Sequence, residues 1–562
     1  MQRRNARLLL VLAALIIALA VAYIPFPETA RAPTAPEAVT PAQGAVARNI
    51  IMMVPDGFAS AHATVARWYK NEPLHMDAIM TGGVRTYNAQ SILTDSAPAA
   101  SAFATGHKIG RRAVSILPDE VTVPGVPPVA PGDALRPVAT ILEAARLLGK
   151  STGLVVTHPL THATPAAFAA HAPRRGDIEN ISEQQVYGMI DVVLGGGRGD
   201  LLPADEGGIR NDGENLMQVL RDMGYTVVDN PLDLHRTQAT RLWGLFAPGA
   251  MAHDWDRDRA KEPSLAEMTR KAIGILSRNP TGFFLMVEGS QIDSAAHAND
   301  PLGVVSDTLA FDDAVGVVLD YARKDGSTLV IIAGDHGTGG MSIGRDSGSG
   351  TMAYEELVGP LKAARMTGRG LAGKLDAERS NIREAVRRYY GIDDLTDAEV
   401  EALREVELGR IQRVMGPIVS RRSRIGWTTT GHTGDDLFLY SYGPGRLEGL
   451  VENSEIGRAM ARAFGVSLDE VSRQLFVRAR EEFESLGATV VWDDADPANP
   501  VVVATKGRVR AELPVNKNLM YLNGETHRLP GVVVAIAGTS WVPRAAVELF
   551  GAAAGGSDRP RD

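Results

Sequence analysis

Acidic side chains and imidazoles recur in this sequence where apolar runs stop. Asp56 follows Asn49–Val54, Glu288 follows Phe283–Val287, and Asp335-His336 follow Thr328–Ile332. Asp293 and His297 stand four residues apart, and His432 is isolated in Thr430-Gly431-His432-Thr433-Gly434. Carboxylates gathered this densely in one cleft would repel one another without cations. Divalent metals relieve that repulsion: mixed His/Asp sets suit zinc, and oxygen-only sets suit magnesium. The chain has no cysteine. Disulfide scaffolds, thiol nucleophiles and thiolate-bound metals are therefore excluded, and any metal must be held by His, Asp, Glu, hydroxyl or backbone groups.

Asp95-Ser96-Ala97 opens an alanine-rich stretch, Ala97 to Thr105, whose composition predicts a short helix. A serine at that N-terminus faces backbone N–H groups and a dipole that favour a bound anion. A zinc ion beside its hydroxyl would lower the hydroxyl pKa and make it a nucleophile. Singly, each residue has a plainer reading. Asp56 suits a turn, Ser96 and Asp335 suit helix caps, His297 and His432 suit a hydrated surface, and Arg175 sits beside Arg174 as a solvated charge would. The set, in one order along the chain, outweighs those readings. His62, His107, His158, His171 and His253 are assigned structural or surface roles.

The elements that must position these groups alternate between short apolar runs and helical periods. Asn49–Val54, Thr152–Thr157, Phe283–Val287 and Thr328–Ile332 read as strands, and Val138–Leu148, stopped by Gly149, and Thr308–Ala322 as helices. Near-continuous apolar strands separated by helices predict a mostly parallel sheet covered on both faces, a three-layer α/β/α sandwich. Functional groups in such sheets gather at the carboxyl ends of strands. Residues 48–470 are read as this body, with 344–424 as a polar, helical insertion. Residues 471–562 read as a small α+β appendage, rich in strands, that opens with one amphipathic helix, Val471 to Leu486. Every motif residue precedes it, so it is expected to be dispensable for chemistry.

Arg3, Arg4 and Arg7 precede an apolar run from Leu8 to Ile24. Residues 1–27 are therefore read as either a cleaved secretory signal or a retained anchor, and 28–47, rich in Pro and Ala, as a tether. Either way the body is expected to be exported, to the periplasm, the cell surface or the medium. The 562 residues are 44% hydrophobic and 22% charged, ordinary globular composition. A net charge of −9 offers no basic excess for a phosphate backbone, which argues against a dedicated nucleic-acid partner.

The sequence resembles the alkaline phosphatase family. The matching strings are Val54-Pro55-Asp56-Gly57, Thr94-Asp95-Ser96-Ala97, His162-Ala163-Thr164-Pro165-Ala166 and Asp191 through Gly197. Further matches are Val287 through Asp293, Asp335-His336 with Gly339-Gly340, and Gly431-His432-Thr433-Gly434. They fall in family order between residue 48 and about residue 466. The resemblance implies hydrolysis of small phosphate monoesters at alkaline pH through a phosphoserine on Ser96, at two zinc ions and one magnesium. Asp293, His297 and His432 would hold the first zinc. Asp56, Asp335 and His336 would hold the second, and Asp56, Thr164 and Glu288 the magnesium. Arg175 falls at the family's phosphate-binding arginine, where a planar guanidinium grips two oxygens. Two positions depart from one well-known bacterial form: His162 replaces an aspartate beside the third metal, and Ser294 replaces a lysine after the zinc-binding aspartate. The resemblance admits a monomer or a homodimer. The alternatives are a phosphodiesterase or sulfatase of the same superfamily, or a non-catalytic metal-binding surface protein.

Overall fold

The computed structural model describes residues 46–348 and 350–556. Its central sheet contains Asn49–Pro55 (β1), Met80–Arg85 (β2), Ser151–Pro159 (β3), Val192–Gly196 (β4), Thr226–Val228 (β5), Leu242–Leu245 (β6), Phe283–Gly289 (β7), Thr328–Ala333 (β8), Leu437–Tyr442 (β9) and Gly449–Glu452 (β10). The order across the sheet is β10-β2-β9-β8-β1-β7-β3-β4-β6-β5. Only β9 runs against its neighbours, β8 and β2. The remaining pairs are parallel.

The middle strands are apolar along their whole length because both faces are covered. All of β1, β7 and β8 is buried. Along β1 the side chains alternate between two cores: Ile50, Met52 and Val54 enter one, Ile51 and Met53 the other. Helices complete the three-layer α/β/α sandwich, and six of them matter for the site and its surroundings. They are Ser96–Thr105 (α1), Ala163–Ala169 (α2), Ile178–Tyr187 (α3), Gln291–His297 (α4), Pro301–Asp325 (α5) and Gln412–Arg422 (α6). The periodic stretch read as Thr308–Ala322 is the inner part of α5. That helix begins where the Asp300 carboxylate accepts from the Leu302 amide at 3.0 Å and ends at Gly326 in the left-handed region.

Between Tyr354 and Arg422 lie four α-helices, the last being α6. Their apolar faces form a third core that takes in Ala295 and Ala296 of α4 and Val304 and Val305 of α5. The polar 344–424 segment is thus packed directly on the helix that carries Asp293 and His297.

The C-terminal region differs from expectation in one element. In place of one helix from Val471 to Leu486 there are two, Leu468–Leu475 and Ala479–Ser485, separated by the strand Val477–Arg478. Val477 and Arg478 pair with Val542 and Trp541. A buried β-branched residue offered a strand partner outweighs local helical spacing. A five-stranded antiparallel sheet follows, from Thr489–Asp493 to Glu525–Arg528. Its neighbourhood is not walled off from the body: Leu519, Val532, Val534, Ile536 and Trp541 share one core with Phe168, Val186 and Tyr187.

Among the described residues no helix is long and apolar enough to cross a membrane. The apolar run Leu8–Ile24 and most of the Pro/Ala-rich tether lie outside them.

Candidate active site

Three adjacent parallel strands, β8, β1 and β7, deliver Asp335-His336, Asp56 and Glu288 to one edge of the sheet. Val54 is in register with Glu288, so Asp56 emerges just beyond the carboxylate of its neighbour. Gly57 makes the turn possible. Its φ is +70°, its N–H donates to Asp335 Oδ1 at 3.0 Å, and a Cβ there would stand 2.6 Å from Asp293 Oδ1. Only glycine meets both demands.

Ligand-capable atoms converge in three groups, each within 4.8 Å: Asp293–His297–His432, Asp56–Asp335–His336 and Asp56–His162–Glu288, the last two sharing Asp56. In the first, His297 Nε2 lies 3.3 Å from Asp293 Oδ2. The other ring nitrogens of His297 and His432, both Nδ1, face the backbone carbonyls of Thr430 and Thr94. Those bonds orient each imidazole with Nε2 turned inward, the arrangement metal-binding histidines adopt. In the second group His336 Nε2 lies 3.3 Å from Asp335 Oδ2 and 3.6 Å from Asp56 Oδ1. The rings of His336 and His432 stack at 3.7 Å, joining the two groups. Thr164 stands in the first turn of α2, two residues after His162.

The donor set fits cations. Both oxygens of Asp56, both of Glu288, Asp335 Oδ2 and Thr164 Oγ1 are buried with no hydrogen-bond partner. Buried polar atoms are ordinarily satisfied, and this many orphans in one place call for charge that the protein does not supply. Burial, and then the charges of Asp335, Asp293 and Glu288, push the Asp56 carboxyl well above the usual carboxylate range. Burial and Asp335 push Glu288 up to about 8. Asp293 behaves oppositely: against the pull of burial, its bond to His297 and the charges of His336 and His297 hold it below that range.

Ser96 begins α1, is 2% exposed, and its Oγ lies 3.2 Å from His336 Nε2. Arg175 reaches the same corner. Its Nη1 donates to Asp95 Oδ2 and its Nη2 to His162 Nε2, each at 3.0 Å. Ser294 follows Asp293 on α4, and its hydroxyl sits 2.9 Å from His158 Nε2. Every site residue expected from the sequence therefore lies in or beside one cleft.

Two contributors were not expected. His158 packs edge-on to His162 with ring centroids 4.5 Å apart, and burial lowers its pKa to about 4. It stands near the carboxyl end of β3, the kind of position that singled out Asp56, but its apolar surroundings made it read as structural. Thr338 donates to Asp293 Oδ1 at 2.6 Å and lies 3.2 Å from His336 Nδ1, bracing both groups at once. Its place between Gly337 and Gly339 was the available signal. The other histidines have structural partners: His171 lies between Ser115 and Glu143, and His253 against Asp307. Gly195 and Gly196 end β4, and Gly197, at φ +92°, turns the chain.

Residues 47–466 match the alkaline phosphatase family, and residues 466–558 match the copper amine oxidase N-terminal domain family. Alkaline phosphatase 3 of Bacillus subtilis is 35% identical over 441 residues, covering 74% of this chain and 88% of its own length. The repressible alkaline phosphatase of Saccharomyces cerevisiae is 33% identical over 482 residues, covering 76% and 82%. Among solved structures, Thermus thermophilus alkaline phosphatase superposes with a TM-score of 0.66 at 31% identity, covering 79% of this chain and 96% of that one. With its parallel sheet, its three acid–imidazole groups and these matches across three-quarters of its length, the chain belongs to the alkaline phosphatase family of metal-dependent phosphomonoester hydrolases.

Proposed function

We propose that the protein is an exported alkaline phosphatase that hydrolyses small phosphate monoesters through a phosphoserine on Ser96, with two zinc ions and one magnesium. Asp293, His297 and His432 would hold one zinc, and Asp56, Asp335 and His336 the other. Asp56, Thr164 and Glu288 would hold the magnesium, with His162 alongside. The observation that carries this reading is the cluster of buried, unpartnered carboxylate oxygens a few ångströms from a serine at a helix N-terminus. When bound, the cations supply Lewis-acid charge that lowers the serine pKa and offsets charge on the entering and leaving oxygens.

The protein's own groups do the rest. The deprotonated Ser96 oxygen attacks phosphorus as the bond to the ester oxygen breaks, and the departing alkoxide takes a proton from a water molecule, leaving hydroxide. That hydroxide attacks phosphorus from the vacated side and breaks the bond to Ser96 Oγ, which restores the serine alkoxide and releases inorganic phosphate. Backbone N–H groups of the first turn of α1 face the transferred group, as helix N-termini favour anions. Arg175 grips two equatorial oxygens with its guanidinium fork. Asp95 and His162 hold that fork in place before substrate arrives, so its orientation entropy is lost at folding and not at binding. Arg3, Arg4 and Arg7 ahead of Leu8–Ile24 support export.

The test is metal content by mass spectrometry together with assays on p-nitrophenyl phosphate, bis-p-nitrophenyl phosphate and p-nitrophenyl sulfate. Two zincs and one magnesium per chain with clear preference for the monoester are expected. Faster turnover of the diester or the sulfate would overturn the substrate class, and no turnover with metals bound would overturn catalysis.

A further inference from the structure

Away from the proposed catalytic residues, a buried polar cluster links the C-terminal region to the segment bearing Arg175. The turn Asn516-Lys517 reaches into the catalytic body. Asn516 is 6% exposed and sits at φ +65°, and its Nδ2 donates to Glu183 Oε2 at 3.0 Å and Asn180 Oδ1 at 3.1 Å. Its Oδ1 accepts from Gln184 Nε2 at 3.0 Å. Lys517 pairs with Glu183 at 3.1 Å and Glu214 at 3.2 Å, and Tyr187 donates to that same Glu214 oxygen at 2.8 Å. Asn180, Glu183, Gln184 and Tyr187 all lie on α3, the helix that begins three residues after Arg175.

Gln184 is the hinge of the arrangement. Its amide closes on the backbone of His171 from both sides: Oε1 accepts from the His171 N–H at 2.8 Å, and Nε2 donates to the His171 carbonyl at 3.0 Å. The His171 ring is clamped in turn, by Ser115 O at 2.9 Å, by Glu143 at 3.1 Å and by the edge of Phe476, 4.7 Å away. From there the route to the cleft is short. Ala172 bridges Val114 through two backbone bonds, and the Arg175 N–H donates to Arg112 O at 2.8 Å. The Ser115 N–H donates to Ser101 on α1, and its hydroxyl to Ala167 on α2. Nothing in the proposed chemistry uses Asn516, Gln184 or Phe476.

We infer that the C-terminal region is a brace for the phosphate grip: Asn516, acting through Gln184 and His171, is a positioning residue for Arg175. This rests on the proposed role of Arg175. A guanidinium misplaced by a fraction of an ångström loses two-pronged contact with a tetrahedral anion, and the cost falls on phosphate affinity more than on the metals. The appendage is then part of the working enzyme, contrary to its expected dispensability.

The experiment uses the full-length, metal-loaded enzyme and reads KM for p-nitrophenyl phosphate, Ki for inorganic phosphate and Tm. Asn516→Gly removes the amide while keeping the left-handed backbone accessible. It should raise KM and Ki about fivefold, the scale of one lost buried hydrogen bond, while kcat changes less. Gln184→Met cuts the same link from the catalytic side and should do the same. In an Arg175→Ala background neither substitution should move Ki further, because a brace has no effect without the group it braces. Lys517→Met, which removes the ion pairs with Glu183 and Glu214 and the cation over the Tyr187 ring but leaves the Asn516 amide, should lower Tm and leave Ki unchanged. An unchanged Ki in both Asn516→Gly and Gln184→Met, an equal effect in the Arg175→Ala background, or a matching Ki rise in Lys517→Met would overturn the brace. An unchanged Ki in Arg175→Ala alone would instead overturn the phosphate role of Arg175.

Discussion

Arg175 is tethered to Asp95, the residue immediately before Ser96, by a hydrogen bond of 3.0 Å between Nη1 and Oδ2. The group proposed to hold phosphate and the group proposed to attack it are thus tied to one another through a single carboxylate. Asp95→Ala should release the guanidinium and raise Ki for inorganic phosphate about tenfold, the scale of a charge-assisted hydrogen bond. Asp95→Asn, which keeps an acceptor, should fall between. Inhibition of p-nitrophenyl phosphate hydrolysis by phosphate measures both.

Ser96→Ala should lower turnover by orders of magnitude and leave zinc content largely unchanged, since each proposed zinc keeps its three Asp and His ligands. Quenching the wild-type enzyme in acid with labelled phosphate should place the label on Ser96. Label on any other residue would reassign the nucleophile.

The metal-stripped protein should lose stability as pH rises. Folding raises the Asp56 and Glu288 pKa values, Glu288 to about 8, through burial and then the charge of Asp335. Between an unfolded carboxyl pKa of about 4 and those raised values, the folded chain holds protons that the unfolded chain has released. Stability from Glu288 is therefore fully present below about pH 4 and is lost as pH climbs through about 8, and the raised Asp56 carboxyl acts in the same direction. Melting curves from pH 5 to 9 should show Tm falling in the chelated protein and a much flatter profile with zinc and magnesium added. A Tm that rises with pH in the chelated protein would contradict the burial of these carboxyls.

Ser294→Lys should strengthen product inhibition. The Ser294 hydroxyl faces His158, which burial keeps neutral at assay pH. A lysine ammonium there would meet no cationic imidazole and would add an attraction of about 1 kcal/mol to a phosphate dianion, about a fivefold drop in Ki. His162→Asp should make retained magnesium harder to remove by dialysis, since a carboxylate replaces the imidazole beside Glu288. Unchanged phosphate inhibition in Ser294→Lys with all metals bound would show that this side chain does not face the anion.

The parallel sheet was legible because β1, β7 and β8 carry no polar residue between their first residue and their carboxyl ends, and Asp56, Glu288 and Asp335-His336 stood out against that background. His158 was not, because a histidine closing an apolar run looks the same whether it faces a core or a cleft. The break at Val477 was hidden for a different reason. The spacing from Val471 to Leu486 satisfies a helix, and only the distant strand Thr539–Val542 makes the alternative better. The Asn516–Gln184 contact joins residues 332 apart and leaves no local trace.

The antiparallel strand β9 has a consequence for when activity can begin. It wedges between β2 and β8, and the short strand His432–Thr433 just before it carries His432, so the site draws on the chain from residue 56 to residue 432. Such long-range closure makes assembly slow and late. A polypeptide still lacking the segment around His432 would hold Ser96 and most of the proposed ligands without the complete set. The proposed hydrolysis would therefore begin only once nearly the whole catalytic body had been made and brought together.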